Sequence, residues 1–164
     1  MLKTKLIARA GIISALYVAI SLLTYPLASG TIQVRIAEGL TLLPLFFVEA
    51  IPALFIGCLL VNFLTGCAFW DIILGSLITL LASLLTYFIA KIVKKRAYRI
   101  ILGGIFPVML NALILPLIWL LLSMGVEEVY YISAIYIFLG QAISVYGVGT
   151  FVVLGTEKLN KKTE

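Results

Sequence analysis

The chain alternates long apolar runs with short polar breaks. The runs cover about residues 6–27, 37–48, 51–64, 71–92, 100–124 and 131–154. The first, at 22 residues, makes about 33 Å of helix, which matches a bilayer core of about 30 Å. The fourth, fifth and sixth are at least as long. The second and third are each short for a crossing and meet near Glu49 and Pro52. They are expected to form a tight helical hairpin or a pair of oblique helices shielded from lipid by their neighbours. Pro107 and Pro116 predict kinks in the fifth run, because each removes a backbone donor and crowds the preceding turn. With no heptad, internal repeat or long linker, the pattern predicts an all-α membrane protein. It would have six transmembrane helices in one integral membrane domain over residues 1–164.

Charge orients that bundle. Lysine and arginine gather at three stations: Lys3, Lys5 and Arg9; Lys91, Lys94, Lys95, Arg96 and Arg99; and Lys158, Lys161 and Lys162. Basic loops stay on the cytoplasmic side, so both termini and the loop from Lys91 to Arg99 are expected inside. The breaks at 28–35, 66–70 and 125–129 are then expected outside.

Composition narrows the function classes. Charged residues make up 12% of the chain and hydrophobic residues 63%, where soluble domains carry roughly twice that charged fraction. The net charge of +5 sits at the inner stations, so anionic lipid headgroups, not nucleic acid, are its expected partner. Histidine is absent, which removes the commonest general base and metal ligand. No phosphate-cradling GxxxxGK[ST] motif occurs, so the chain is not expected to hydrolyse ATP. No catalytic group, cofactor or metal is expected. Cys58 and Cys67 would stand about 13 Å apart along a helix, too far for a disulfide, and read as free thiols. The first run has basic residues before it, as a signal peptide does, but its apolar stretch exceeds the usual length and it is expected to stay as a span.

Given that orientation, Glu38, Asn62, Asp71, Asn111 and Gln141 all fall toward the outer half of the membrane. An acid at a helix centre costs about 2.5 to 3.5 kcal/mol on insertion scales, so a convergent outward-open site is the economical explanation. Each residue has a plainer reading. Asp71 can cap its helix, Glu38 can pair with Arg35 three positions earlier, and Asn62, Asn111 and Gln141 can be interhelical glue. Trp70, Tyr130 and Tyr131 fall where an aromatic interfacial belt is expected. In the first run Gly11, Ala15 and Ala19, extended by Ala8, make a small-residue stripe that suits either internal packing or docking of another membrane subunit. Gly140, Ser144, Gly147 and Gly149 form a second small-residue region, expected to pack internally.

The stretch from Val34 through Arg35 and Glu38 to Pro44, continuing through Ile51 to Cys58, Asn62 and Asp71 to Ser76, is similar to the QueT family over nearly the whole chain. Members of that family are substrate-binding S components of energy-coupling factor (ECF) transporters, thought to import queuosine precursors. The resemblance implies a six-helix ECF S-component-like bundle in the bacterial plasma membrane. It would work with a membrane-embedded coupling subunit and two cytosolic ATPase subunits. It also implies that Gly11, Ala15 and Ala19 face the coupling subunit, and that the loop between the first two spans acts as an outer lid. The implied ligand is a deazaguanine: an aminomethyl or cyano derivative, or queuine. A guanine edge offers paired N–H donors to a carboxylate, its carbonyl and ring nitrogens suit amides, and its flat face suits Trp70 or Tyr130. The implied substrate-binding set is Arg35, Glu38, Asn62, Trp70, Asp71, Asn111, Tyr130 and Gln141.

Overall fold

A computed structural model describes residues 2–30, 32–123 and 127–163, and they contain no β-strand. In chain order they form α1 (Leu2–Leu23), a single turn α2 (Tyr25–Ala28), a 3-10 helix (Ile36–Leu45) and α3 (Ala50–Leu64). A π-helical turn (Asp71–Gly75) then runs into α4 (Ser76–Ile92), followed by α5 (Arg96–Ser123) and α6 (Glu127–Ala142). A second π-helical stretch (Ile143–Val148) continues into α7 (Gly149–Thr163). The outer break expected at 125–129 lies partly outside the described residues, as do the side chains of Lys161 and Lys162.

Among the described residues four helices are long and apolar enough to cross a membrane: Lys3–Leu23, Asp71–Ile92, Arg96–Leu122 and Val129–Lys158. The hydrophobic pattern implied six. The shortfall has a physical cause. Ten residues of 3-10 helix rise about 20 Å, and the fifteen residues of α3 about 22 Å, each less than a bilayer core.

The 3-10 helix is the centre of the protein. Every residue from Ala37 to Leu45 is buried, against α1, α3, α4, α5, the second π-helical stretch and α7. A ten-residue 3-10 helix has poor hydrogen-bond geometry, and such backbone is tolerated at membrane depth only where protein covers it. Glycines permit the contact. A Cβ on Gly39 would lie 2.9 Å from the backbone nitrogen of Gly149, and one on Gly149 would lie 2.9 Å from the Gly39 carbonyl oxygen. Pro52 falls in the first turn of α3, where a missing N–H breaks no helical bond.

Within α5, Pro107 has no N–H to give the Gly103 carbonyl one turn earlier. Thr86 of α4 supplies the donor instead, its hydroxyl 2.8 Å from the Gly103 oxygen. A proline that weakens one helix thereby ties it to its neighbour.

The basic residues do not form the long loop expected from Lys91 to Arg99. Lys91 lies in the last turn of α4, Arg96 begins α5, and only residues 93–95 connect them. Arg99 donates to the Leu45 carbonyl at 2.5 Å, Arg96 pairs with Glu157 at 3.3 Å, and Arg9 pairs with Glu49 at 2.7 Å. The start of α1, the turn after the 3-10 helix, the α4–α5 connection and the end of α7 therefore share one end of the bundle.

Candidate functional site

At the other end lies a cavity of about 180 Å³. Pockets for drug-sized ligands run to about 300–1,000 Å³, so this one suits a small ligand of about the size of a nucleobase. The last turns of α1 contribute Tyr17 and Ser21, with Thr24 just past its end, the loop before the 3-10 helix contributes Gln33 and Arg35, and α3 contributes Val61 and Asn62, with Thr65 just past its end. Asp71 and Gly75 come from the first π-helical turn, and Leu115 and Trp119 from α5. Arg35 is the cation of this lining and Asp71 the acid.

Asp71 is fixed from behind. The Trp119 indole N–H donates to its Oδ1 at 2.7 Å, and the Asn62 amide donates to its backbone carbonyl at 3.2 Å. Its side chain makes no helix-capping bond, so the N-cap reading of Asp71 falls. Asn62 also reaches the Cys58 sulfur of its own helix at 3.6 Å, and its bond to Asp71 joins α3 to the first π-helical turn as the glue reading expects while it still lines the cavity. Cys58 and Cys67 are free thiols.

Glu38 stands behind the wall, 1% exposed. Its Oε1 accepts the Tyr17 hydroxyl proton at 2.6 Å, and its Oε2 has no partner among the described residues. No Arg35–Glu38 ion pair forms among the described residues. Arg35 instead donates to the Gln33 side-chain oxygen at 3.4 Å, because the 3-10 turn directs Glu38 at α1.

Of the eight residues singled out from sequence, the cavity brings together Arg35, Asn62 and Asp71. Glu38 reaches it only through Tyr17. Trp70 is exposed and stacks edge-on against Phe69. Tyr130 donates to the Leu113 carbonyl at 3.4 Å and packs against Tyr131. Asn111 is buried and donates to the Pro107 carbonyl at 2.9 Å. Gln141 is wholly buried, with neither side-chain polar atom partnered among the described residues. None of these last four lines the cavity. Tyr17 and Trp119 were missed. Each is an aromatic residue inside an apolar run, and the signal available was that a buried phenol O–H or indole N–H needs a partner.

The small-residue stripe of α1 faces away from the bundle. Ala8, Gly11, Ala15 and Ala19 are exposed while Ile13 and Tyr17 are buried, and a Cβ on Gly11 would meet nothing within 4 Å. Among the described residues the stripe has no internal packing partner. In the second small-residue region Gly140 packs on the Gln33 backbone, Gly149 on Gly39, and Ser144 is buried, whereas Gly147 is open.

A family model described as QueT transporter matches residues 7–158, nearly the whole chain. The chain belongs to the QueT transporter family. No curated protein and no solved structure matches it. Membership makes it a membrane transport protein, in keeping with its four long apolar helices, and a transporter family is not an enzyme class. All of the cavity's lining residues fall within the matched region.

Proposed function

We propose that this QueT-family chain is the substrate-binding subunit of an ECF-type importer, and that it captures a queuosine precursor, a deazaguanine base, from outside the bacterial plasma membrane. The observation that carries the reading is the cavity itself. It is base-sized, and it presents Arg35, Asn62 and Asp71 together at the end of the bundle opposite the arginine-rich one. In the proposed topology all six apolar segments of one membrane domain cross or pack within the bilayer, with both termini and the basic residues inside and the cavity facing out.

Asp71 would accept N–H donors of the guanine edge, Asn62 would complete that edge, and Arg35 would address the ligand carbonyl. The loop of residues 29–35 would act as lid. The outward-facing Gly11, Ala15 and Ala19 stripe would meet the coupling subunit, since small residues permit close helix approach and none of the described residues covers them. Two cytosolic ATPase subunits would supply energy through that coupling subunit.

Thermal-shift and calorimetric screening of the purified chain against deazaguanines, guanine, thiamine and riboflavin tests the reading. Stabilisation by a deazaguanine alone is the expected result. Stabilisation only by another nucleobase or a vitamin would keep the S-component role and replace the ligand. Binding of none would overturn the proposed capture function.

A further inference from the structure

Three polar groups of the cavity wall, on Tyr17, Asn62 and Asp71, share a polarity. A phenol carries one proton, and Tyr17 spends its proton on Glu38 at 2.6 Å, with both residues buried. Tyr17 lines the cavity, and its oxygen keeps only lone pairs for any further partner. Asn62 uses its amide N–H on the Asp71 carbonyl and the Cys58 sulfur, leaving its side-chain carbonyl. Asp71, with Oδ1 taken by Trp119, offers Oδ2. The hydroxyls of Thr24 and Thr65 donate back to Ile20 and Val61 of the helices they follow. Tyr17, Asn62 and Asp71, from α1, α3 and the first π-helical turn, are thus left as acceptors, while Arg35 and the Ser21 and Tyr25 hydroxyls are donors elsewhere in the lining.

We propose that Glu38 is a specificity-determining positioning residue. By accepting the hydrogen bond of the Tyr17 hydroxyl it leaves the Tyr17 oxygen an acceptor, so that the cavity selects a flat heterocycle with adjacent N–H donors, such as an exocyclic amine next to a ring N–H, beside a carbonyl for Arg35. This deepens the base-binding reading above and rests on it. The carboxyl explains itself on this account. Glu38 acts here in its ionised form: a hydroxyl beside a neutral partner can point its proton either way, whereas a carboxylate accepts only, and Tyr17 is the sole side-chain partner of the Glu38 carboxyl among the described residues. A ligand without the amine would leave the Tyr17 oxygen facing an apolar edge, and a site built to hydrogen-bond a group rejects the analogue lacking it.

The test compares a deazaguanine with the matching deazahypoxanthine, which lacks only the exocyclic amine, by calorimetry on the detergent-purified full chain. Wild type should prefer the amino compound by about tenfold or more. In Tyr17→Phe the preference should fall close to unity through loss on the amino compound alone. Glu38→Gln, whose amide can turn an N–H toward Tyr17, should also shrink it, and Tyr17→Phe with Glu38→Gln should do no more than Tyr17→Phe by itself. A merely structural role for Glu38 would weaken both ligands alike and leave the ratio intact, and that result overturns the inference, as does additivity of the two substitutions. Should Glu38→Gln prove unstable on heating, Glu38→Ala replaces it, and a ratio left at the wild-type value overturns the inference. Failure of wild type to bind either compound overturns the base-binding reading and this inference with it, whereas binding with an unchanged ratio in Tyr17→Phe overturns the inference only.

Discussion

Asp71→Asn tests the cavity at its one acid. The substitution keeps the size of the side chain and removes its charge, so it separates electrostatics from shape. A hydrogen bond to a charged group contributes about 1.5–3 kcal/mol, which predicts a loss of ligand affinity of roughly tenfold to a hundredfold. Trp119 sharpens the test. Its indole N–H lies 2.7 Å from Oδ1 but lines the cavity beside the carboxylate rather than closing it, and both side chains are part-exposed. Solvent can therefore replace some of what Trp119→Phe removes, and the stability loss should be near 1 kcal/mol.

On ligand binding Trp119→Phe should act only by letting the carboxylate turn. Its effect should be smaller than that of Asp71→Asn, and the double variant should bind no worse than Asp71→Asn alone, a coupling of about 0.5 kcal/mol or more. Isothermal calorimetry with a deazaguanine measures all four proteins, and thermal unfolding without ligand controls for folding. Comparing an aminomethyl with a cyano derivative adds the role of the acid, since a carboxylate facing a cationic arm matters more for the amine than for the nitrile. Wild-type affinity in Asp71→Asn, or strictly additive losses in the double variant, would refute the assignment of Asp71 as the ligand's carboxylate.

Three further outcomes are expected. Ala15→Trp and Ala19→Trp should leave unfolding temperature and ligand binding nearly unchanged, because both positions are exposed and surface changes are usually within about 0.5 kcal/mol, while uptake and co-purification of the coupling subunit fall; unchanged uptake would remove the docking role. Gly140→Ala should destabilise the protein by about 1–3 kcal/mol and weaken ligand binding, since the new Cβ would collide with the Gln33 carbonyl and displace the loop that carries Arg35; a neutral effect on both would deny that this contact sets the loop. A cysteine at Lys95, in the short α4–α5 connection, should resist an impermeant thiol reagent applied to intact cells, and its labelling would reverse the proposed topology.

The fold was legible where length decides and illegible where packing does. Helix α1 and the two helices on either side of the α4–α5 connection follow from runs longer than a bilayer is thick. The 3-10 form of Ile36–Leu45 could not be read from sequence, because Ala37–Leu45 also fits a short α-helix. What selects the tighter, longer form is contact from several sides, including the glycine-to-glycine approach of Gly39 and Gly149. The π-helical turns at Asp71–Gly75 and Ile143–Val148 carry no residue pattern of their own either. They shift the phase of their helices, and so decide which side chains face inward.

That phase explains which part of the site was legible. A polar residue in an apolar run reveals its depth in the membrane, since depth follows from counting along the helix, but its direction around the helix axis depends on neighbours. Asp71, Asn62, Asn111 and Gln141 all have comparable depth in the sequence, yet only Asp71 and Asn62 turn to the cavity. Aromatic residues invert the problem. Trp70 and Tyr130 stand at the ends of runs and invite a functional role, whereas Tyr17 and Trp119 count as apolar in any hydropathy window and their polar tips go unnoticed. Tyr17 also gives α1 two faces. Ala15 and Ala19, two residues to either side of it, look out of the bundle, while Tyr17 lines the cavity and its hydroxyl reaches Glu38. One rigid helix therefore carries both the residue that senses the cavity and the surface proposed for docking, and a ligand that reorders Tyr17 acts on the same element that a coupling subunit would grip.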